Sequence, residues 1–117
     1  NENKEMKLNL SKLSCENSFL SPDVLSTGEV EIVKCLKTKT FISDLNIDAN
    51  NLFLKVEAEG FEPEILIGLE ELRPKCIAVD VSAERNNQSP RNQINKLLVS
   101  FGYKIYDTKR CTLAYHE

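Results

Sequence analysis

Apolar residues fall in short groups along this chain, separated by polar stretches, and the spacing inside each group sets the element it predicts. Leu8 and Leu10 alternate with polar neighbours, which predicts a strand over Met6–Leu13. Ser14–Glu29 is rich in Ser, Asn, Asp, Pro and Gly and reads as loop. The β-branched, alternately charged run Val30–Leu36 predicts a second strand with one face exposed, and Thr40 is placed to cap a short helix to about Leu45. Asp48–Asn51 then turns the chain into an apolar strand, Leu52–Val56, broken only by Lys55.

Beyond Gly60, which allows a sharp reversal, Ile65, Leu66, Leu69 and Leu72 recur at helical steps and predict a helix on a sheet, ending at Arg73-Pro74. Pro63 fits its first turn, where a missing N–H costs nothing. Cys76–Val81 is a nearly continuous apolar run broken by Asp80, the pattern of a parallel strand covered on both faces, so residues 52–81 form a βαβ unit. Ser82–Ser89 is polar and reads as loop, and Ser89-Pro90 opens a helix whose stripe is Ile94, Leu97, Leu98 and Phe101 and whose stop is Gly102. Tyr103–Tyr106 and Cys111–Tyr115 predict a hairpin around residues 107–110. The expected class is α/β, a mixed sheet with a parallel βαβ core and a C-terminal antiparallel hairpin. The chain reads as one domain over residues 1–117, with a loop-rich start at 1–29 and an α/β core at 30–117.

Composition narrows the partners. With 41% hydrophobic and 28% charged residues, a net charge of −3 and a pI near 5.3, the chain is ordinary for a globular domain. Its dispersed cations offer no nucleic-acid surface. No apolar run approaches the roughly 20 residues that span a bilayer, and the polar start Asn1–Lys7 resembles no signal peptide, so a cytoplasmic protein with small-molecule or protein partners and no membrane association is expected. Cysteines at 15, 35, 76 and 111, with His116 as the sole histidine, match no zinc-ligand spacing, so reduced thiols and no metal are expected.

The chemistry concentrates where Glu57, Glu59 and Glu62 crowd the exit of the Leu52–Val56 strand, the end at which open α/β sheets bind ligands. If the strand continues, Glu57 and Glu59 share a face and could orient a hydroxyl, accept its proton or hold a divalent cation. Alternatively, Glu59 is a turn residue accepting backbone N–H bonds, with Glu62 and Glu64 favoured by the helix dipole. Lys55 either reaches a ligand carboxylate or phosphate or snorkels from an edge, and Asp80 either contacts ligand or accepts from nearby backbone. Tyr103, Tyr106 and Tyr115 are expected to pack.

Phe53-Leu-Lys-Val-Glu-Ala-Glu-Gly-Phe-Glu-Pro-Glu-Ile-Leu-Ile-Gly68 resembles the signature of FkbM-type methyltransferases, an apolar strand with Lys-Ile-Asp-Val-Glu-Gly-x-Glu and then a helix reading Val-Leu-x-Gly. Thr40-Phe-Ile-Ser-Asp-Leu45 is similar to the family's upstream Thr-Leu-Asp-x-Leu, Ile77–Val81 to its next strand, and Phe101-Gly-Tyr-Lys-Ile-Tyr106 to its late Gly-Tyr strand. The resemblance implies a seven-stranded, Rossmann-like fold that binds S-adenosylmethionine and methylates a hydroxyl oxygen of a small molecule or sugar. It implies Glu59 first and Glu57 second as catalytic residues, and Lys55 and Asp80, which interrupt the neighbouring apolar strands, are the expected substrate contacts. The chain departs from the family twice: Glu57 stands where the family has Asp, and the glycine loop that cradles the cofactor is missing, the glycines lying at 28, 60, 68 and 102. The expectation is therefore a partial fold, the C-terminal, substrate-side portion of a methyltransferase, with no assignable cofactor-binding residue and no activity alone. It would be prone to self-association through an exposed sheet edge. A non-catalytic interaction module on the same scaffold is the alternative.

Overall fold

Two sheets organise the chain in the computed structural model, which describes residues 4–12, 17–20, 26–84 and 87–116. Lys4–Ser11 (β1) and Ser26–Cys35 (β2) form an antiparallel ribbon, in register from Lys4 opposite Cys35 to Ser11 opposite Ser26, with a bulge between Asn9 and Ser11. Thr38–Asp44 (α1) and a 3₁₀ turn at Ala49–Asn51 lead to Phe53–Val56 (β3). Glu62–Ile67 (α2), Cys76–Asp80 (β4), Arg91–Ser100 (α3), Lys104–Asp107 (β5) and Cys111–Tyr115 (β6) follow. The second sheet has the order β3-β4-β6-β5: β3 and β4 are parallel, while β6 is antiparallel to both of its neighbours. The described chain is thus mixed α/β, with a four-stranded mixed sheet that does not close and three helices. None of its helices is long and apolar enough to cross a membrane.

The core lies on one face of this sheet. Register puts Leu54, Val56, Ile77, Val79, Thr112 and Ala114 on that side, with Leu66, Leu69, Ile94 and Leu98 buried above them. Each large apolar side chain so buried contributes about 1.5–3 kcal/mol. The opposite face carries Phe53, Lys55, Cys76, Ala78, Asp80, Cys111, Leu113 and Tyr115, and on β5 Lys104 and Tyr106, none of them fully buried. This corrects the expectation of a doubly covered strand at β4: its burial alternates, Ile77 and Val79 buried, Cys76, Ala78 and Asp80 half-buried. It also corrects two tyrosines. Tyr103 packs, its hydroxyl donating to the Pro74 carbonyl at 2.6 Å, but Tyr106 and Tyr115 are exposed on the open face.

Local differences have local causes. β2 begins at Ser26, inside the expected loop, because Ser26–Glu29 complete the ribbon with β1 despite their turn-forming composition. Thr40 lies within α1 rather than capping it; Thr38 opens the helix and its hydroxyl donates to the Ile65 carbonyl at 2.8 Å. α2 stops at Gly68, not at Arg73-Pro74: a Cβ on Gly68 would lie 3.1 Å from the Thr38 hydroxyl, and the Gly68 carbonyl accepts from Lys39 N–H at 2.8 Å. Leu69 is still fully buried, from the turn after the helix. Cys35, Cys76 and Cys111 are free thiols. Leu13, at the end of the expected first strand, Cys15 and most of the loop around it, and Arg85-Asn86 lie outside the described residues.

Candidate functional site

The strand exit is a tied turn rather than an extension of β3. After Val56 the chain leaves the sheet, and Glu59 adopts φ 47°, in the left-handed region, followed by Gly60 at φ 91°. A non-glycine residue there carries about 1 kcal/mol of strain. Four bonds hold it. Phe61 N–H donates to the Ala58 carbonyl at 3.0 Å, the amides of Ala58 and Gly60 donate to Glu62 Oε1 at 2.7 and 3.3 Å, and the Ser18 hydroxyl donates to the Glu59 carbonyl at 3.1 Å. Phe19 packs on Phe61 with ring centroids 5.2 Å apart, so the segment before β2 clamps the turn from outside.

The carboxylates of this segment thus divide between the turn and the cleft beside it. Glu62, expected at the helix start on dipole grounds, is in the first turn of α2 but is 1% exposed and accepts the turn's N–H groups, the role expected as the alternative for Glu59. Its second oxygen, Oε2, is buried with no hydrogen-bond partner. Glu57 and Glu59 do not share a strand face, since β3 ends before both.

The turn nevertheless brings all four sequence-predicted residues together. Lys55, Glu57, Glu59 and Asp80 line one open cleft of about 410 Å3, joined by Ala78, Ser82, Glu84, Arg110 and Cys111. Its floor is the open sheet face, where Lys55 is in register with Ala78 and Asp80 with Cys111. Its rim is the turn after β3 and the segment after β4, the carboxyl ends of the two parallel strands. Lys55 is an exposed edge residue paired to Glu57, whose carboxylate holds the ammonium above the usual lysine range. Asp80 lines the cleft and accepts from Ser82 N–H at 3.2 Å and from the Ser82 hydroxyl at 2.9 Å, the nearby-backbone role expected as its alternative.

Glu84 is the residue the sequence did not signal. Half-buried, its carboxyl is pushed up to about 7, first by burial and then by repulsion from Glu59, Glu62, Asp80 and Glu57. A carboxyl poised there can hold or release a proton near neutral pH. Nothing in the polar run Ser82–Ser89 marks it, because its environment depends on Glu57, Glu59 and Glu62, which are distant in the chain and meet it only in the fold. Among the described residues no three His, Cys, Asp or Glu side chains converge with metal-binding geometry. No family model matches the chain, and neither a curated protein nor a solved structure matches it.

Proposed function

We propose that this chain forms the substrate side of an S-adenosylmethionine-dependent methyltransferase of the FkbM type, on a partial Rossmann-like scaffold, acting on a hydroxyl of a small molecule or sugar. The observation that carries the reading is the convergence of Lys55, Glu57, Glu59 and Asp80 in one cleft at the carboxyl ends of β3 and β4. Glu57 and Glu59 are the residues that the strand-turn-helix resemblance singles out, and Lys55 and Asp80 are the charged residues that interrupt the two apolar strands. In this reading Glu59, rigidly presented by its strained turn, orients the acceptor hydroxyl, and Glu57 or Glu84 receives its proton.

The described residues do not fit a cofactor cradle. Gly60 N–H is taken by Glu62, Gly28 lies in β2, and Gly68 and Gly102 pack toward Thr38 and His116, so no glycine loop offers free amides to a nucleotide. The reading gives this chain the acceptor side alone. The test is methyl transfer by the longest natural protein carrying this chain, with labelled cofactor and a panel of hydroxylated acceptors. Labelled product that falls about 100-fold or more in Glu59→Gln is expected. Absence of both cofactor binding and product in that protein overturns the reading, and micromolar stoichiometric binding of S-adenosylmethionine by residues 1–117 alone overturns the division of labour.

A second reading, a non-catalytic interaction module, is favoured by the open sheet face and by the outer edge of β3, which pairs with no strand among the described residues. Under it, the protein tested above would bind neither cofactor nor acceptor.

A further inference from the structure

At the pole of the sheet opposite the acidic cleft, a second cleft of about 400 Å3 is lined by Asn50, Arg73, Lys75 and His116. We propose that this cleft is a binding site for a small phosphate monoester, with Arg73 and Lys75 as the charge-bearing contacts. It is independent of the methyltransferase reading.

Three observations carry it. The first is charge. Arg73 and Lys75 have no carboxylate partner among the described residues; Lys96 and Lys109 also lack one, but Arg73 and Lys75 line the same cleft. Two cations facing one concavity without a counter-ion repel each other, and an anion between them removes that repulsion while gaining charge-assisted hydrogen bonds.

The second is preorganisation. Arg73 Nε donates to the Phe101 carbonyl at 3.2 Å, Nη1 to the carbonyls of Glu70 and Leu72, and the guanidinium lies 4.5 Å over the Phe101 ring. Its plane is fixed before any ligand arrives, and Nη2 has no bond among these. A fixed guanidinium matches phosphate geometry at little entropic cost. His116 is fixed as well: its ring centroid lies 3.9 Å from that of Tyr103 with the planes tilted by 40°, and its backbone N–H donates to the Lys75 carbonyl at 3.2 Å. Tyr103 stays protonated, its hydroxyl pushed up to about 12 by burial, so this wall keeps its bond to Pro74 at all ordinary pH.

The third is room. The cleft is roomier than inorganic phosphate needs, which favours a phosphate carried on a small organic group over the bare ion.

The experiment is an amide and side-chain NMR titration of the 117-residue chain at constant ionic strength, with inorganic phosphate, with glycerol 1-phosphate, and with sodium chloride and glycerol as references. Saturable shifts clustered on Asn50, Arg73, Lys75 and His116 are expected with both phosphates, tighter for the monoester. Lys75→Glu, at an exposed position, should weaken both at least tenfold with spectral dispersion retained, as should Arg73→Gln. Lys96→Glu, the same charge change on α3, should leave them unaltered. Shifts that rise linearly, that chloride reproduces, that Lys96→Glu reduces as much as Lys75→Glu, or that appear with bare phosphate but not with the monoester each overturn the proposal.

Discussion

Glu62 Oε1 accepts the Ala58 amide at 2.7 Å, and this bond joins the end of β3 to the start of α2 more directly than the chain between them does. Because the carboxylate is 1% exposed and serves two amides, truncation and neutralisation should differ. Glu62→Ala leaves the amides of Ala58 and Gly60 unpaired and opens a void, a loss of about 2–4 kcal/mol. Glu62→Gln keeps a carbonyl acceptor and removes a buried charge whose second oxygen is unpartnered, so it should fall within about 1 kcal/mol of the native chain. Urea midpoints at unchanged slope measure both. Equal losses would mean that charge rather than hydrogen bonding holds the turn.

Glu59 offers a trade between stability and function. At φ 47° its Cβ is in the region glycine occupies freely, so Glu59→Gly should be more stable than Glu59→Ala by about 1 kcal/mol. Both variants lose the carboxylate and, in the reading above, the activity. Thermal melts of the pair give the difference directly. If alanine is the more stable, the turn carries no strain and its hold on Glu59 is ordinary.

The order of the elements was legible because each apolar group has a clear period, from the alternation in β1 to the helical spacing of Ile94, Leu97 and Leu98 in α3. Ends were less legible where tertiary contacts override periodicity: Leu69 and Leu72 keep a helical spacing after the chain has left α2, because the turn as well as the helix faces the core. For the site, Lys55, Glu57, Glu59 and Asp80 could be named because strand exits are visible in sequence. Glu84 could not, since only the fold brings it to Glu59. The fold-back of Glu62 did leave a trace, a carboxylate just after a glycine turn and beside the first-turn proline, which reads equally as a dipole residue until its burial is known.

Glu84 makes stability depend on pH in an unusual direction for a carboxylate. Its carboxyl titrates near 4.5 when unfolded and near 7 when folded, so between these values the folded chain holds a proton the unfolded chain has released. Stability is therefore full below about pH 4.5 as far as this group is concerned, and falls as pH rises through 7. Glu70, Glu71 and Asp107, lowered chiefly by hydrogen bonds from Lys37, Lys39 and Thr112 respectively, act oppositely, but they lose their contribution only at more acid pH, below their ordinary values. Since Glu84 is only half-buried, solvent screening holds its effect to about 1 kcal/mol. Melts from pH 5 to 8 should show a decline in the native chain that Glu84→Gln flattens. A native profile already flat over that range would mean that Glu84 is not perturbed.

The open sheet face changes where self-association should occur. An edge was the expected liability, and β3 does have an unpaired outer side, but the larger apolar exposure lies on the face: Phe53, Leu113, Tyr115 and Tyr106 are 64, 38, 42 and 65% exposed on one side of the four strands. Contiguous apolar surface of this kind associates in water, and a helix layer, a partner or a second copy would each cover it. Light scattering from micromolar to millimolar concentration should show the apparent mass rising above the 13.3 kDa monomer. Leu113→Lys separates the two mechanisms, because β6 is an inner strand with no free edge. Its side chain points to the open face, so the change should cost no more than about 0.5 kcal/mol in folding. If the mass returns to monomer in Leu113→Lys, the face carries association. If only Phe53→Lys, on the edge strand, restores the monomer, pairing along β3 is the cause. A chain monodisperse at 13.3 kDa up to millimolar concentration would mean that neither surface is sticky enough to matter.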